Sequence, residues 1–599
     1  MSFMYHPYPY KDPSAVNKIE IPSSVKENLV TGILPVAKKI AELLKENRTI
    51  GIDAYPGAEY EMLVNVLKQQ LAQKGVFFLD AADALLSAEA ITEKLQPYLP
   101  DDRDEDPVLL YGRRYLEGYK GLQDNAKVSA LKEKIRNGGK CIVYGKGALS
   151  ESFQDLYDIR VWLDVTPRTA VLNCKNGKNC NIGLAEELPY SLMMRRNYYV
   201  DFEIVMEQRW NLLRGNKIDY YISADEPEKM SMLPFHALKD LFEELNRRPF
   251  RCRPVYLEGV WGGFYIKRLR NLPQEMRNCA WVFDMIPLEV SLAARLGHTE
   301  FEVPFFTFVQ VMGEKLLGHK AFSQFGGYFP IRFNYDDTFH SSGNMSIQCH
   351  PIENYVVSNH GELGRQDESY YVVLAGQNAK TYLGFEEENS CREFFKLAEQ
   401  AEKTHELIDY EKYVHHVESI PGTQVMIPAG TIHASGRNQL ILEIGSLTVG
   451  SYTYKLYDYQ RTDPQTDLPR PIHLRMGKRV IRGERTAQWV EENLVNHGEL
   501  VRSGEGWKET VVGEHDLLYF SLRNLVFGNE IQDETDDYFH VLVLVDGEKA
   551  RVESMINPEL YFEMNSLDMV VIPACFGAYR VRNLGVGTIT VHKTLLKKD

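Results

Sequence analysis

The residues of this chain best suited to chemistry are two histidines, a carboxylate and an amide. Gln348 and His350 lie in Met345-Ser-Ile-Gln-Cys-His-Pro351, Glu368 heads the apolar run Tyr370 to Leu374, and His433 lies in Ile427-Pro-Ala-Gly-Thr-Ile-His-Ala434. The first segment reads as a strand, whose side chains alternate faces, so Gln348 and His350 point one way and Cys349 the other. Two imidazoles, a carboxylate and an amide oxygen on neighbouring strands suit Zn²⁺, or Fe²⁺ or Mn²⁺, with a coordination position left open. A plainer reading stands beside this one. A single histidine is more often a satisfied, half-buried residue than a ligand, and these spacings form no metal signature by themselves.

The order of the motifs adds what the spacings lack. Ser346-Ile-Gln-Cys-His-Pro351, Gly364-Arg-Gln-Asp-Glu-Ser-Tyr-Tyr-Val-Val-Leu374 and Val425-Met-Ile-Pro-Ala-Gly-Thr-Ile-His-Ala434 follow one another along the chain. Upstream stands Pro254-Val-Tyr-Leu-Glu-Gly-Val-Trp-Gly-Gly263, and downstream Tyr452-Thr-Tyr-Lys-Leu-Tyr-Asp-Tyr459. As an ordered set they resemble the type I phosphomannose isomerases, and the resemblance covers residues 250–599. It implies a metal held by Gln348, His350, Glu368 and His433. It implies an acid/base glutamate at Glu443, in Leu440-Ile-Leu-Glu-Ile444, with Lys455 as a catalytic cation and Arg461 and Arg437 as contacts for the substrate phosphate. The implied activity is the interconversion of mannose 6-phosphate and fructose 6-phosphate through an enediolate. Such a reaction needs a base, an electrophile for the developing oxyanion and a cationic clamp for the phosphate.

Two departures qualify the match. The family arginine of Thr-Tyr-Arg is Lys455 here, which exchanges a planar fork for a point charge. The family lysine of Lys-Thr-Glu is replaced by Gln366, removing a cation from the pocket, while Arg365 alternates to the other face. A non-catalytic metal-binding sensor of sugars or sugar phosphates is therefore the second reading, and a bifunctional isomerase and kinase the third.

The elements that must position these residues follow from length and pattern. A chain of 599 residues, 44% hydrophobic and 25% charged, implies several domains with ample core. A formal net charge of −15 excludes general affinity for nucleic acid or anionic membranes, so any phosphate site is a local basic pocket. The start, Met1-Ser-Phe-Met-Tyr-His-Pro7, lacks a basic region followed by an apolar one, and no secretory leader is expected. No apolar run is long enough to span a membrane. The cysteines, Cys141, Cys174, Cys180, Cys252, Cys279, Cys349, Cys391 and Cys575, are scattered in a reduced, cytoplasmic pattern. Oligomeric state is not legible.

Residues 1 to 30 are expected to wrap the surface, and Val30 to Glu46 carries helical apolar spacing. Arg48 to Met62 reads as a buried strand, a turn and a helix start, the layout of a phosphate-binding loop. Such a loop needs Gly-x-x-x-x-Gly-Lys-Ser/Thr, whereas Gly57 is followed by Ala58, Glu59 and Tyr60, and Glu59 would repel phosphate. With Lys140-Cys-Ile-Val-Tyr-Gly-Lys-Gly-Ala-Leu149, Leu156-Tyr-Asp-Ile-Arg-Val-Trp-Leu-Asp-Val165 and Arg195-Arg196 in place of a lid, residues 1–248 resemble a uridine-kinase-like P-loop domain. The expectation is a fold kept and a nucleotide chemistry lost. Past the breaker Pro249 the pattern changes to short β runs. It implies a double cupin, or jelly roll: a metal-bearing unit over 249–485 with a helical insertion near 386–418, and a β unit without metal over 486–599.

Overall fold

The computed structural model describes residues 6–462, 467–496 and 498–597. Residues 1–5, on which part of the reading of the amino-terminal stretch rests, lie outside them. The architecture is mixed α/β with several sheets.

The first sheet is built from Thr49–Ala54, Phe77–Asp80, Cys141–Tyr144, Ile159–Asp164 and Tyr220–Ser223, all parallel, in the spatial order second, third, first, fourth, fifth. Ser231–Pro234 and Val30–Thr31 extend it antiparallel at one edge. Thr49–Ala54 is buried at every position, as a strand with both faces covered must be. The helix Ile33–Glu46 packs through Val36, Ala37, Ile40, Ala41 and Leu44, a three- and four-residue spacing that puts one apolar stripe on the sheet. The helix Pro167–Lys175 starts where Thr166 caps the Thr169 amide and proline occupies the first turn.

Residues 250–496 form a sandwich of two antiparallel sheets. One has seven strands, in the order Val495–Asn496, Gln424–Ile427, Glu368–Ala375, Gln439–Ser446, Ile331–Asp337, Trp281–Met285 and Val255–Leu257. The other has five: Val414–Glu418, Lys380–Phe385, His433–Ser435, Ile347–Cys349 and Tyr454–Tyr457. Beyond it, six- and four-stranded sheets between Glu499 and Leu596 enclose a core of their own, including Phe527, Leu542, Val552 and Val570.

Two expectations are corrected. The helical insertion holds the α-helix Ser390–Thr404 and a 3-10 turn at Tyr410–Lys412, and Val414–Glu418 is instead an edge strand on Lys380–Phe385. Its pattern, buried only at Val414 and Val417, carries the weak signal of an edge. The amino-terminal stretch does more than wrap the surface. Asn17–Lys18 pairs with Ser291–Leu296, and Asn17 is buried, donating to the carbonyls of Arg251 and Ala293.

Candidate metal centre

The interior of the sandwich collects side chains from both sheets. Gln348 and His433 come from the five-stranded sheet, where they are directly opposite each other, and His350 follows Gln348 on the same face. Glu368 projects from the first position of its strand in the seven-stranded sheet. All four are almost wholly buried, at 6%, 0%, 1% and 2% exposure for Gln348, His433, His350 and Glu368. His350 Nε2 lies 3.0 Å from Glu368 Oε1, His433 Nε2 lies 3.4 Å from Glu368 Oε2, and Gln348 Nε2 lies 3.3 Å from His433 Nε2. Among the described residues, His350, Glu368 and His433 are the group whose ligand atoms all fall within 4.8 Å of one another.

The donor set fits a divalent ion on three counts. His350 Nδ1 is 3.1 Å from the carbonyl of Tyr452, and His433 Nδ1 is 2.9 Å from that of Thr431. A carbonyl only accepts, so both Nδ1 atoms carry a proton, and in a neutral imidazole the Nε2 lone pair is the one turned to Glu368. Lone pairs opposite a carboxylate repel unless a cation lies between them. Glu368 Oε2, buried, has no hydrogen-bond partner. Burial also pushes the His350 imidazole below its usual range, toward the neutral form that ligates.

Around this cluster lie Arg332 and Asp336, which the sequence did not point to, and Gln366, Arg365 and Glu443, which it did. Arg332, buried, donates from Nη2 to Glu368 Oε1 at 2.7 Å and to Glu443 Oε1 at 2.8 Å. Gln366 Nε2 donates to Glu368 Oε1 at 2.7 Å, so the residue in the lysine's place is an amide donor at the cluster. Arg365 pairs on the other side with Asp367, at 2.8 Å. Glu443 faces the interior, and its carboxyl is raised above the usual range, first by burial and then by the Glu368 charge. Asp336 hydrogen-bonds to Glu443 and is raised further, again by burial first. The signal for Arg332 was its alternation in Ile331-Arg-Phe-Asn-Tyr-Asp-Asp337, which reads equally well as a solvated face.

Lys455 is directly opposite Gln348 in the five-stranded sheet and so shares its face. Its ammonium, buried, makes no hydrogen bond or ion pair among the described residues, and burial, followed by the Arg470 charge, lowers it to about 8. Arg437 and Arg461 lie beyond the ends of the strands His433–Ser435 and Tyr454–Tyr457. With Lys380, Asn344, Tyr382, Tyr410 and Tyr459 they line a cavity of about 710 Å³. Arg461 is held by Asp458 and by the Asn344 carbonyl, the latter at 2.9 Å. No residue lining this cavity belongs to the histidine–glutamate cluster.

In the first unit the loop that lacks a phosphate loop's lysine and hydroxyl packs closely on the helix Pro167–Lys175. Gly57 has φ +92°, and a Cβ there would come within 2.7 Å of Ala170 in the helix Pro167–Lys175. Asp53, buried at the end of the first strand, accepts from the Leu149 amide at 2.8 Å and from Gln208 Nε2 at 2.7 Å. Arg195 and Arg196 are buried structural residues. Arg195 donates to the carbonyls of Tyr111 and Pro100, and Arg196 to that of Ile182.

Residues 36–247 match a family model described as a domain of unknown function (DUF8485). The chain is 24% identical over 341 residues to mannose-6-phosphate isomerase ManA of Bacillus subtilis, covering 56% of this chain and 96% of that protein. It is 30% identical over 227 residues to mannose-6-phosphate isomerase of Streptococcus mutans, covering 36% and 63%. Among solved structures, the mannose 6-phosphate isomerase from Bacillus subtilis aligns with a TM-score of 0.45 at 18% identity, covering 58% of this chain and 99% of that one. The chain thus matches mannose-6-phosphate isomerases at family level over somewhat more than half its length, at 56% for the first of these relatives.

Proposed function

We propose that this protein is a metal-dependent aldose–ketose isomerase interconverting mannose 6-phosphate and fructose 6-phosphate. The observation that carries the reading is the convergence of two imidazole Nε2 atoms on the buried Glu368 carboxylate, His350 on Oε1 and His433 on Oε2. A divalent ion held by His350, Glu368, His433 and Gln348 would supply the electrophile for the sugar's C1 and C2 oxygens. Glu443 takes the proton from C2 and returns it at C1 through an enediolate. A carboxyl raised by burial is suited to both halves of that transfer. Lys455, on the same face as Gln348 and without a hydrogen bond or ion pair among the described residues, balances the negative charge of the bound substrate. Arg437 and Arg461 receive the phosphate.

The sensor reading is favoured by one observation, the burial of the cluster, none of whose residues lines the cavity of Arg437 and Arg461. A coupled assay of mannose 6-phosphate turnover, with chelator and with Zn²⁺ restored, separates the two. Turnover should vanish with chelator and return with zinc. His433→Ala should lose the ion, and Glu443→Gln should keep it while losing about 10²–10⁴-fold in kcat. A wild-type protein that retains one ion per chain and turns nothing over leaves the sensor reading in possession.

A further inference from the structure

We propose that Arg332 is the positioning residue of this centre, holding the ligand carboxylate Glu368 and the proton-transfer carboxylate Glu443 at one fixed separation. This deepens the isomerase reading and rests on it for the role of Glu443.

The argument begins with register. Three adjacent strands bring Glu368, Gly445 and Arg332 into line, Glu368 opposite Gly445 and Gly445 opposite Arg332. One pair along, Tyr370, Glu443 and Asn334 are aligned in the same way. Residues two apart share a face, so Arg332, Asn334 and Asp336 all turn inward toward Glu443 and Glu368. Gly445 makes the bridge possible. A Cβ at that position would stand 3.2 Å from Arg332 Nε and 3.5 Å from Glu368 Cγ, in the path the guanidinium takes across the middle strand.

Geometry then selects arginine over any other cation. One Nη2 atom donates to Glu368 Oε1 at 2.7 Å and to Glu443 Oε1 at 2.8 Å, with all three side chains buried. A lysine would set a point charge between two carboxylates without fixing their planes. Asp336 completes the strip from the far side. It hydrogen-bonds to Glu443 and accepts from Asn334 Nδ2 at 3.1 Å. Glu443 is thereby gripped between the Arg332 guanidinium and Asp336. Arg332 also restores a cation to an interior that has Gln366 in the lysine's place. It enters from a different strand and acts on the carboxylates themselves.

The test uses the full chain and inorganic zinc as probe. Residues that orient a metal ligand typically cost 10–100-fold in metal affinity when replaced. Arg332→Gln should therefore bind Zn²⁺ about 10–100-fold more weakly in a chelator competition. Arg332→Lys, which keeps the charge and is the safeguard if the glutamine variant does not fold, should recover only part of that loss. In turnover, Arg332→Lys should lower kcat and leave KM for mannose 6-phosphate within about twofold, the signature of an interaction that acts in the transition state. Zinc affinity equal to wild type in Arg332→Lys overturns the proposal. A wild-type protein without turnover would sink the isomerase reading alone, because the zinc competition still decides whether Arg332 positions Glu368.

Discussion

Lys455 shows what one side chain can be made to report. Its ammonium is depressed to about 8, by burial first and by the Arg470 charge second, so it loses its proton within an accessible range. If it balances substrate charge, KM for mannose 6-phosphate should rise as pH is taken through 8 toward 10. In Lys455→Arg that alkaline rise should disappear, because a guanidinium stays charged throughout. A KM profile identical in the two proteins would mean that Lys455 is a buried cation with no part in binding. Glu443 illustrates the opposite case. Read alone in the sequence it is a glutamate on a strand, and its chemistry comes from Arg332, Asp336 and Glu368, on two other strands.

At the level of elements, the connection between the first unit and the metal centre is a short arm rather than a loop of the sandwich. Residues 98–115 leave the first unit and dock on the outside of the strand Tyr454–Tyr457. Tyr111 donates to the Thr453 carbonyl at 2.6 Å and its ring packs against Tyr452, Tyr454, His360 and His473. The neighbouring Tyr452 carbonyl is the one that receives His350 Nδ1, so the arm is two residues removed from a ligand's orientation. Glu105 adds ion pairs to Arg475 and Arg479, each at 3.0 Å, and Asp106 lies 3.8 Å from His473. Tyr111→Ala should speed zinc loss to a chelator several-fold, while Tyr111→Phe, which keeps the ring and forfeits about 1 kcal/mol of hydrogen bond, should change it little. Equal zinc retention in Tyr111→Ala would reduce the arm to a tether.

Across the whole molecule, buried histidines tie the units together and set their response to acid. His473, next to Asp106 of the first unit, is lowered to about 4, chiefly by burial and in spite of that carboxylate. His592, in the carboxy-terminal sheet and 3.2 Å from Gln424 Oε1 of the sandwich, is lowered by burial to about 3. Each takes up a proton more readily unfolded, near pH 6.5, than folded. Their contribution to stability is therefore full above pH 6.5 and is lost as pH falls toward 4. The melting temperature should decline over that window, and unfolding at pH 5 should take up about two protons from these residues. A melting temperature constant from pH 7 to 4.5 would contradict the burial of both imidazoles. No helix among the described residues is long and apolar enough to cross a membrane, and none of the eight cysteines is in a disulfide.

What the sequence determined by itself was local. Alternation placed Gln348 and His350 on one face, apolar spacing located the helix that begins at Ile33, and Gly57-Ala-Glu-Tyr60 already lacked the lysine and hydroxyl of a phosphate loop. Residue types suggested Glu368 and His433 as partners, and the ordered motifs of the resemblance gave the grouping the support that spacing lacked. What only the tertiary structure decided was which polar face meets water. Arg332, Asn334 and Asp336 alternate just as an exposed strand would, and only the second sheet laid across them makes that face an interior. The same limit hid the edge strand Val414–Glu418, the arm carrying Tyr111, and the need for Gly445. Period and propensity are properties of neighbours along the chain. A buried charge and a close crossing depend on strands far apart in sequence, whose register is set by the packing of the whole.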